Sequence, residues 1–208
     1  MADGNRFFCD ITLNEFEEQL GRSHSLGALR SLMDSSLSNL GFGAYAYMRL
    51  LIEPSGDVEI QGVTSYPTAW CDRYKSANYL AIDPTLWYCR SQTIPVTWHE
   101  LSEMGSRQGE RSKLFEEAKN YGLCYGITVP LHSGSRWISA MNVVTDLPLK
   151  EAIRQITEHR DMVHIMSILF HGTAEACMRT SNVHLTQPQH SSPLIREFQT
   201  PKSKRELH

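Results

Sequence analysis

Apolar residues recur along this chain with two periods, and the change from one to the other marks the elements. Leu26, Leu29, Leu32, Met33, Leu37 and Leu40 fall at helical spacing, and Gly41 follows as a natural C-terminal stop. Upstream, Thr12-Leu-Asn-Glu15 has the form of a capping box and predicts a short helix to about Leu20. Tyr45 to Ile52 and Val58 to Val63 read as strands, joined by the turn residues Glu53-Pro-Ser-Gly-Asp57. Tyr66-Pro67 opens a helix to about Ser76, with Pro67 at its first position. Asp83-Pro84 repeats that logic, Asp as N-cap and Pro as first helical residue, for a helix to about Arg90.

Ile94 to Trp98 reads as extended around Pro95, at a sheet edge or a strand end. Glu110 to Tyr121 predicts a charged helix ended by Gly122. Cys124 to Leu131 and Trp137 to Thr145 form a second hairpin through His132-Ser-Gly-Ser-Arg136. Pro148 then opens the longest helix, from Leu149 to about Cys177, with Ile153, Ile156, Val163, Met166, Leu169 and Phe170 as its apolar stripe. The expected architecture is α/β: an α-β-α sandwich with an antiparallel sheet of about five strands and helices on both faces. From Ser181 the chain turns polar and proline-broken and ends in a basic cluster, Lys202 to Arg205, which reads as a flexible tail.

Composition narrows the function classes. The 208 residues, 41% hydrophobic and 21% charged, suit one soluble domain with a full core. A formal charge of −3 argues against a chain built throughout to grip nucleic acid. No apolar run approaches the roughly 20 residues a membrane span needs, and the N-terminus has no secretory pattern. Five scattered cysteines (Cys9, Cys71, Cys89, Cys124 and Cys177) then read as reduced thiols, which places the protein in the cytoplasm.

Catalytic chemistry has no foothold. There is no phosphate loop, dinucleotide fingerprint or nucleophile elbow, and no set gathers a nucleophile and a base. His159, His164 and His171 lie on the long helix without metal-ligand spacing and read as surface or interface histidines. No metal or cofactor is expected.

The informative stretch runs from Tyr66 to Trp98. It places Tyr66, Trp70, Tyr74, Tyr79, Asp83, Trp87, Tyr88 and Trp98 close together, with Asp83 the single acid that stands out. Trp70 and Tyr74, four apart, project from one helix face. Aromatic walls with a few directed polar groups suit a small amphiphilic ligand; an aromatic core in which Asp83 only caps a helix is the alternative.

The ordered set Tyr66-Pro-x-x-Trp70-x-x-x-Tyr74, Asp83-Pro84, Trp98 and Gly122-Leu-x-x-Gly126-x-Thr128-x-Pro130 resembles the autoinducer-binding domain of LuxR-type quorum-sensing regulators. The resemblance covers about residues 10 to 178, and Asn182-Val-His-Leu-Thr186 is similar to the linker that leads into that family's helix-turn-helix domain. It implies a ligand, an N-acyl-homoserine lactone, with Asp83 accepting from its amide N–H. Trp70 would donate to the lactone carbonyl and Tyr66 to the amide carbonyl, while Tyr74 and Trp98 wall the head group. Gly126 would let a strand run close to its neighbours. Where members often carry Ser or Thr on the last long strand, the matching position is Asn142, with Ser139 a second candidate. Cys71 stands where some members have a basic residue, which departs from a water-mediated contact to a 3-oxo group.

The resemblance further implies an autoinducer-binding and dimerisation domain over residues 1–178. Residues 179–208 would be a tail standing in place of the DNA-binding domain, for after Leu185-Thr-Gln-Pro-Gln189 no helix-turn-helix pattern follows. On that expectation the chain does not bind DNA alone. It would form a homodimer, or a heterodimer with a full-length LuxR-type regulator that it antagonises. Two alternatives stay open: a ligand-independent antagonist, or the ligand-binding part of an intact DNA-binding regulator.

Overall fold

The computed structural model describes residues 13–53, 58–104, 108–132 and 137–181. The Thr12 cap, most of the two expected hairpin turns and the tail beyond Ser181 lie outside the described residues. The elements are α1 (Leu13–Gly21), α2 (Leu26–Asn39), β1 (Ala44–Ile52), β2 (Val58–Thr64), α3 (Thr68–Ser76), a 3-10 turn (Tyr79–Ala81), α4 (Pro84–Cys89), β3 (Val96–Thr97), α5 (Trp98–Glu103), α6 (Gln108–Lys119), β4 (Tyr125–Leu131), β5 (Trp137–Thr145) and α7 (Leu149–Ser181).

The five strands form one sheet in the order β2-β1-β5-β4-β3, and every neighbouring pair is antiparallel. Because side chains alternate across a strand, the sheet has two distinct faces. One presents Tyr45, Tyr47, Ile127, Val129, Met141 and Val143 to α1, α2 and α7, whose Phe16, Leu29, Met33, Met166 and Phe170 complete the larger core. The other presents Leu50, Val58, Val96, Ile138, Ala140 and Val144 to α3 through α6. This is the α-β-α sandwich that the hydrophobic periods imply.

Local chemistry fixes several boundaries. The Ser25 hydroxyl accepts from the Ala28 N–H and caps α2. Gly41, at φ +80°, ends it with Phe42 N–H donating to the Leu37 carbonyl and Gly41 N–H to that of Ser38. In three places the fold departs from the pattern-based reading. Pro67 precedes α3 as its cap residue, so the helix starts at Thr68. The extended run expected to reach Trp98 is only Val96–Thr97, because Thr97 and Glu100 form a reciprocal capping box that starts α5 at Trp98. In α7, which runs on to Ser181, Ile153 is 54% exposed, and the buried stripe instead begins at Ala152 and Ile156.

Candidate functional site

The second face of the sheet carries two separate apolar clusters. One gathers Trp70, Tyr79, Val96, Trp98, Phe115 and Val144. The other gathers Leu50, Leu80, Leu86, Cys89, Ile138 and Ala140. Tyr74 packs against both. Along β5 the alternating residues Val144, Asn142 and Ala140 point to this face, so Asn142 lies at the seam between the clusters.

Asp83 is buried, at 4% exposure, and is held from two sides. As N-cap of α4 its Oδ1 accepts from the Thr85 N–H at 2.8 Å, and its Oδ2 accepts from the Tyr74 hydroxyl at 2.7 Å. Each carboxylate oxygen retains a further lone pair for a guest donor. Burial raises the Asp83 pKa above the ordinary carboxylate value, and the hydrogen bonds from Thr85 and Tyr74 work against that rise. Tyr66 and Tyr74 are pushed well above the ordinary phenol value, first by burial and then by the Asp83 charge. Both phenols therefore act as donors at neutral pH.

The Tyr66 hydroxyl is buried and has no hydrogen-bond partner. A buried hydroxyl left unsatisfied costs about 1–3 kcal/mol, and this one is free to donate to a guest. Trp70, 4% exposed, packs by its edges and faces on Tyr74, Tyr79 and Tyr121 at centroid distances of 6.1, 5.8 and 5.3 Å. Asn78, at φ +53°, turns the chain after α3 and lets Tyr79 fold back onto Trp70.

Trp98 stacks on Phe115 with centroids 5.0 Å apart, and its indole N–H donates to Thr128 Oγ1 at 3.2 Å. The Thr128 hydroxyl in turn donates to Asn142 Oδ1 at 2.6 Å, across the β4–β5 pair where the two residues face each other. Gly126 lies under the ring: a Cβ there would meet Trp98 carbons at 2.8 and 3.0 Å. Trp98 thus comes from a helix start and is tethered by its polar edge.

All six expected residues (Tyr66, Trp70, Tyr74, Asp83, Trp98 and Asn142) belong to this side of the sheet. Tyr74 is more than a wall, since it hydrogen-bonds Asp83 directly. Ser139 is not part of the site: three residues from Asn142 on the same strand, it faces α7, opposite Arg49. Thr85 and Thr128 are partners that sequence reasoning did not assign, although Thr128 stood inside the Gly126-x-Thr128 phrase. His171 is not a surface histidine. It is 8% exposed, and its Nδ1 lies 2.7 Å from the Tyr47 hydroxyl, beside the Arg49–Glu175 ion pair of 2.8 Å.

Among the described residues no cluster of three or more His, Cys, Asp or Glu side chains could hold a metal ion, and no helix is long and apolar enough to cross a membrane. A three-layer domain with a buried acid, an unsatisfied phenol and aromatic walls beside its sheet is the frame of a small-molecule receptor. The model of the autoinducer binding domain matches residues 25–174, and the chain belongs to that family. It is similar to the HTH-type quorum-sensing regulator RhlR of Pseudomonas aeruginosa, 28% identical over 123 residues that cover 59% of this chain and 49% of that protein. The chain thus spans about half the length of this curated relative.

The fold is shared with the N-acylhomoserine lactone dependent LuxR family transcription factor CepR2 of Burkholderia cenocepacia, with a TM-score of 0.64, 23% identity, and coverage of 82% of this chain and 95% of that one. It is shared as well with Escherichia coli SdiA, with a TM-score of 0.61, 21% identity, and coverage of 84% and 70%. Relatives of this kind are transcription regulators and their ligand-binding domains, not enzymes.

Proposed function

We propose that this domain binds an N-acyl-homoserine lactone between α3–α5 and the sheet, and that occupancy controls transcription through a LuxR-type dimer. The carrying observation is the buried Asp83 carboxylate, oriented by Tyr74 and Thr85 beside the partnerless Tyr66 hydroxyl. In this reading Asp83 accepts from the ligand amide N–H, Tyr66 donates to the amide carbonyl and Trp70 donates to the lactone carbonyl. Trp98 closes the head-group end, and the cluster around Leu50, Leu86 and Ile138 receives the acyl chain. The Tyr66 contact satisfies a hydroxyl that otherwise has no partner, so ligand binding and stability rise together.

Dimerisation is supported by α7. Ile165 and Ile168 are 41% and 51% exposed, three apart on one face, and the exposed Gly172 and Ala176 extend that stripe. The partner would be a second copy or a full-length regulator of the same type, whose DNA occupancy this domain lowers by pairing with it.

The test is a thermal-shift series on the purified chain with lactones of different acyl length, together with mass spectrometry of what extraction releases. Ligand at 100 times Kd should add about 2.7 kcal/mol of stability. Protein that extracts empty and melts unchanged across the series would sink the ligand reading, and an Asp83→Ala chain that responds like wild type would count equally against it.

A further inference from the structure

The groups that would hold a guest are shut in. The Tyr66 hydroxyl is out of reach of water, and Trp70 and Asp83 are each 4% exposed. A ligand larger than water reaches them only when part of the wall moves. The wall element held by the fewest buried side chains is the one that moves most readily.

Three of the helices on this face are each fixed by two or more buried apolar side chains: Leu86 and Cys89 on α4, Trp98 and Leu101 on α5, Leu114 and Phe115 on α6. Of the nine residues of α3, Trp70 alone is buried. The helix lies between Pro67 and Asn78, the latter in the left-handed region, so a turn at each end lets it move as a unit.

From outside the site, α3 is tied to α6 at a single carboxylate. Arg73 Nε and Nη2 donate to Glu117 Oε1 and Oε2, the second at 3.3 Å, and the Tyr79 hydroxyl donates to Oε2 as well. The guanidinium also lies 5.7 Å from the centroid of the Tyr79 ring, which packs on Trp70. Glu117 thus grips the chain on both sides of the Asn78 turn, Arg73 before it and Tyr79 after it. Lys113, one turn earlier on α6, adds positive charge at the same carboxylate. Arg73 and Glu117 have no part in holding the guest.

We infer that α3 is a flap over the binding site and that Glu117 is its latch, a positioning residue that sets how fast a ligand enters and leaves. The flap and latch stand on the geometry of the chain itself; their use in lactone exchange rests on the lactone reading above.

Two measurements on the purified 208-residue chain test this, each with Glu117→Ala and with Arg73→Met, which keeps the aliphatic stem and removes the fork. The first is hydrogen exchange without ligand. The α3 amides should exchange about fivefold faster in both variants, the scale of one partly exposed bidentate pair, while those of α2 and β5 keep the wild-type rate. Unchanged α3 exchange, or a rise spread equally over α2 and β5, overturns the latch whether or not a lactone binds. The second is stopped-flow tryptophan fluorescence with N-acyl-homoserine lactones from butanoyl to dodecanoyl. For a lactone that binds wild type, association and dissociation should both quicken about fivefold in the variants, leaving Kd within about twofold. A weaker Kd at an unchanged association rate overturns the flap and leaves the lactone reading intact. Absence of binding across the series overturns the lactone reading, and the exchange result alone then upholds or overturns the latch.

Discussion

The Tyr74 hydroxyl and the Asp83 carboxylate are joined by a 2.7 Å hydrogen bond between two helices that share no turn. The bond stabilises the charged form of an acid that burial pushes toward its neutral form. The amide N–H of a ligand needs the carboxylate, so affinity should rise as pH climbs through the raised Asp83 value. Removing the phenol in Tyr74→Phe should lift that value further and move the rise to higher pH. Titration calorimetry from about pH 4 to 8 measures both profiles. Coincident profiles for wild type and Tyr74→Phe would remove the coupling.

Gly126 and Trp98 are in direct opposition. A methyl group at position 126 would overlap ring carbons of Trp98 and sit 3.0 Å from the Val143 carbonyl oxygen. The ring has little freedom to yield, with Phe115 stacked on it and Thr128 holding its N–H. Gly126→Ala should cost about 1–3 kcal/mol in urea denaturation and should also weaken ligand binding. An unchanged urea midpoint would contradict the packing described.

Across the sheet, Arg49 and Glu175 pair at 2.8 Å with side-chain exposures of 6% and 18%, and the Arg49 guanidinium stacks 4.0 Å from the Trp137 ring centroid. Removing only the acid leaves a buried cation without its counter-charge. Glu175→Ala should therefore destabilise by about 3 kcal/mol, whereas exposed pairs such as Arg22–Glu18 should contribute under about 1 kcal/mol. Chemical denaturation of Glu175→Ala and Glu18→Ala compares them, and equal effects would argue against burial as the cause.

His171 adds a pH dependence of opposite origin. Burial lowers its pKa below the ordinary 6.5; Glu175 opposes that shift and Arg49 adds to it, with Tyr47 and His132 also facing the ring. A base whose folded-state pKa is depressed binds its proton first in the unfolded chain. Its contribution is thus complete above 6.5 and lost as pH falls from 6.5 toward the folded-state value. Melting temperatures of wild type and His171→Asn should converge over that interval. Parallel curves would remove His171 as the cause.

If α7 carries the dimer contact, charge on its exposed stripe should break it. Ile165→Glu with Ile168→Glu should convert a dimer to a monomer in sedimentation velocity while leaving the melting temperature within a few degrees, since both positions are exposed. A dimer that survives the double change would place the interface elsewhere.

The elements that could be read from the chain are those encoded within one or two turns. Asp83-Pro84 announces a helix start because the cap and the fixed proline torsion act on adjacent residues. Trp70 and Tyr74 share a face because helical spacing makes them do so. The parity of β5 was equally legible, since residues 139 and 142 on one strand must face opposite ways, and it separates Ser139 from Asn142. Thr97-x-x-Glu100 was a local signal too, but Pro95 two residues earlier suggested an extended run.

What the sequence by itself determined was most of the helices and strands, α5 excepted, and the antiparallel α-β-α layering. Those follow from spacing and capping, which are short-range. The tertiary structure alone decided that Tyr74 reaches Asp83, that Thr128 joins Trp98 to Asn142, and that His171 is buried beside Tyr47. Each of these depends on a strand register or a helix position set by packing over many residues, and no local pattern carries that information.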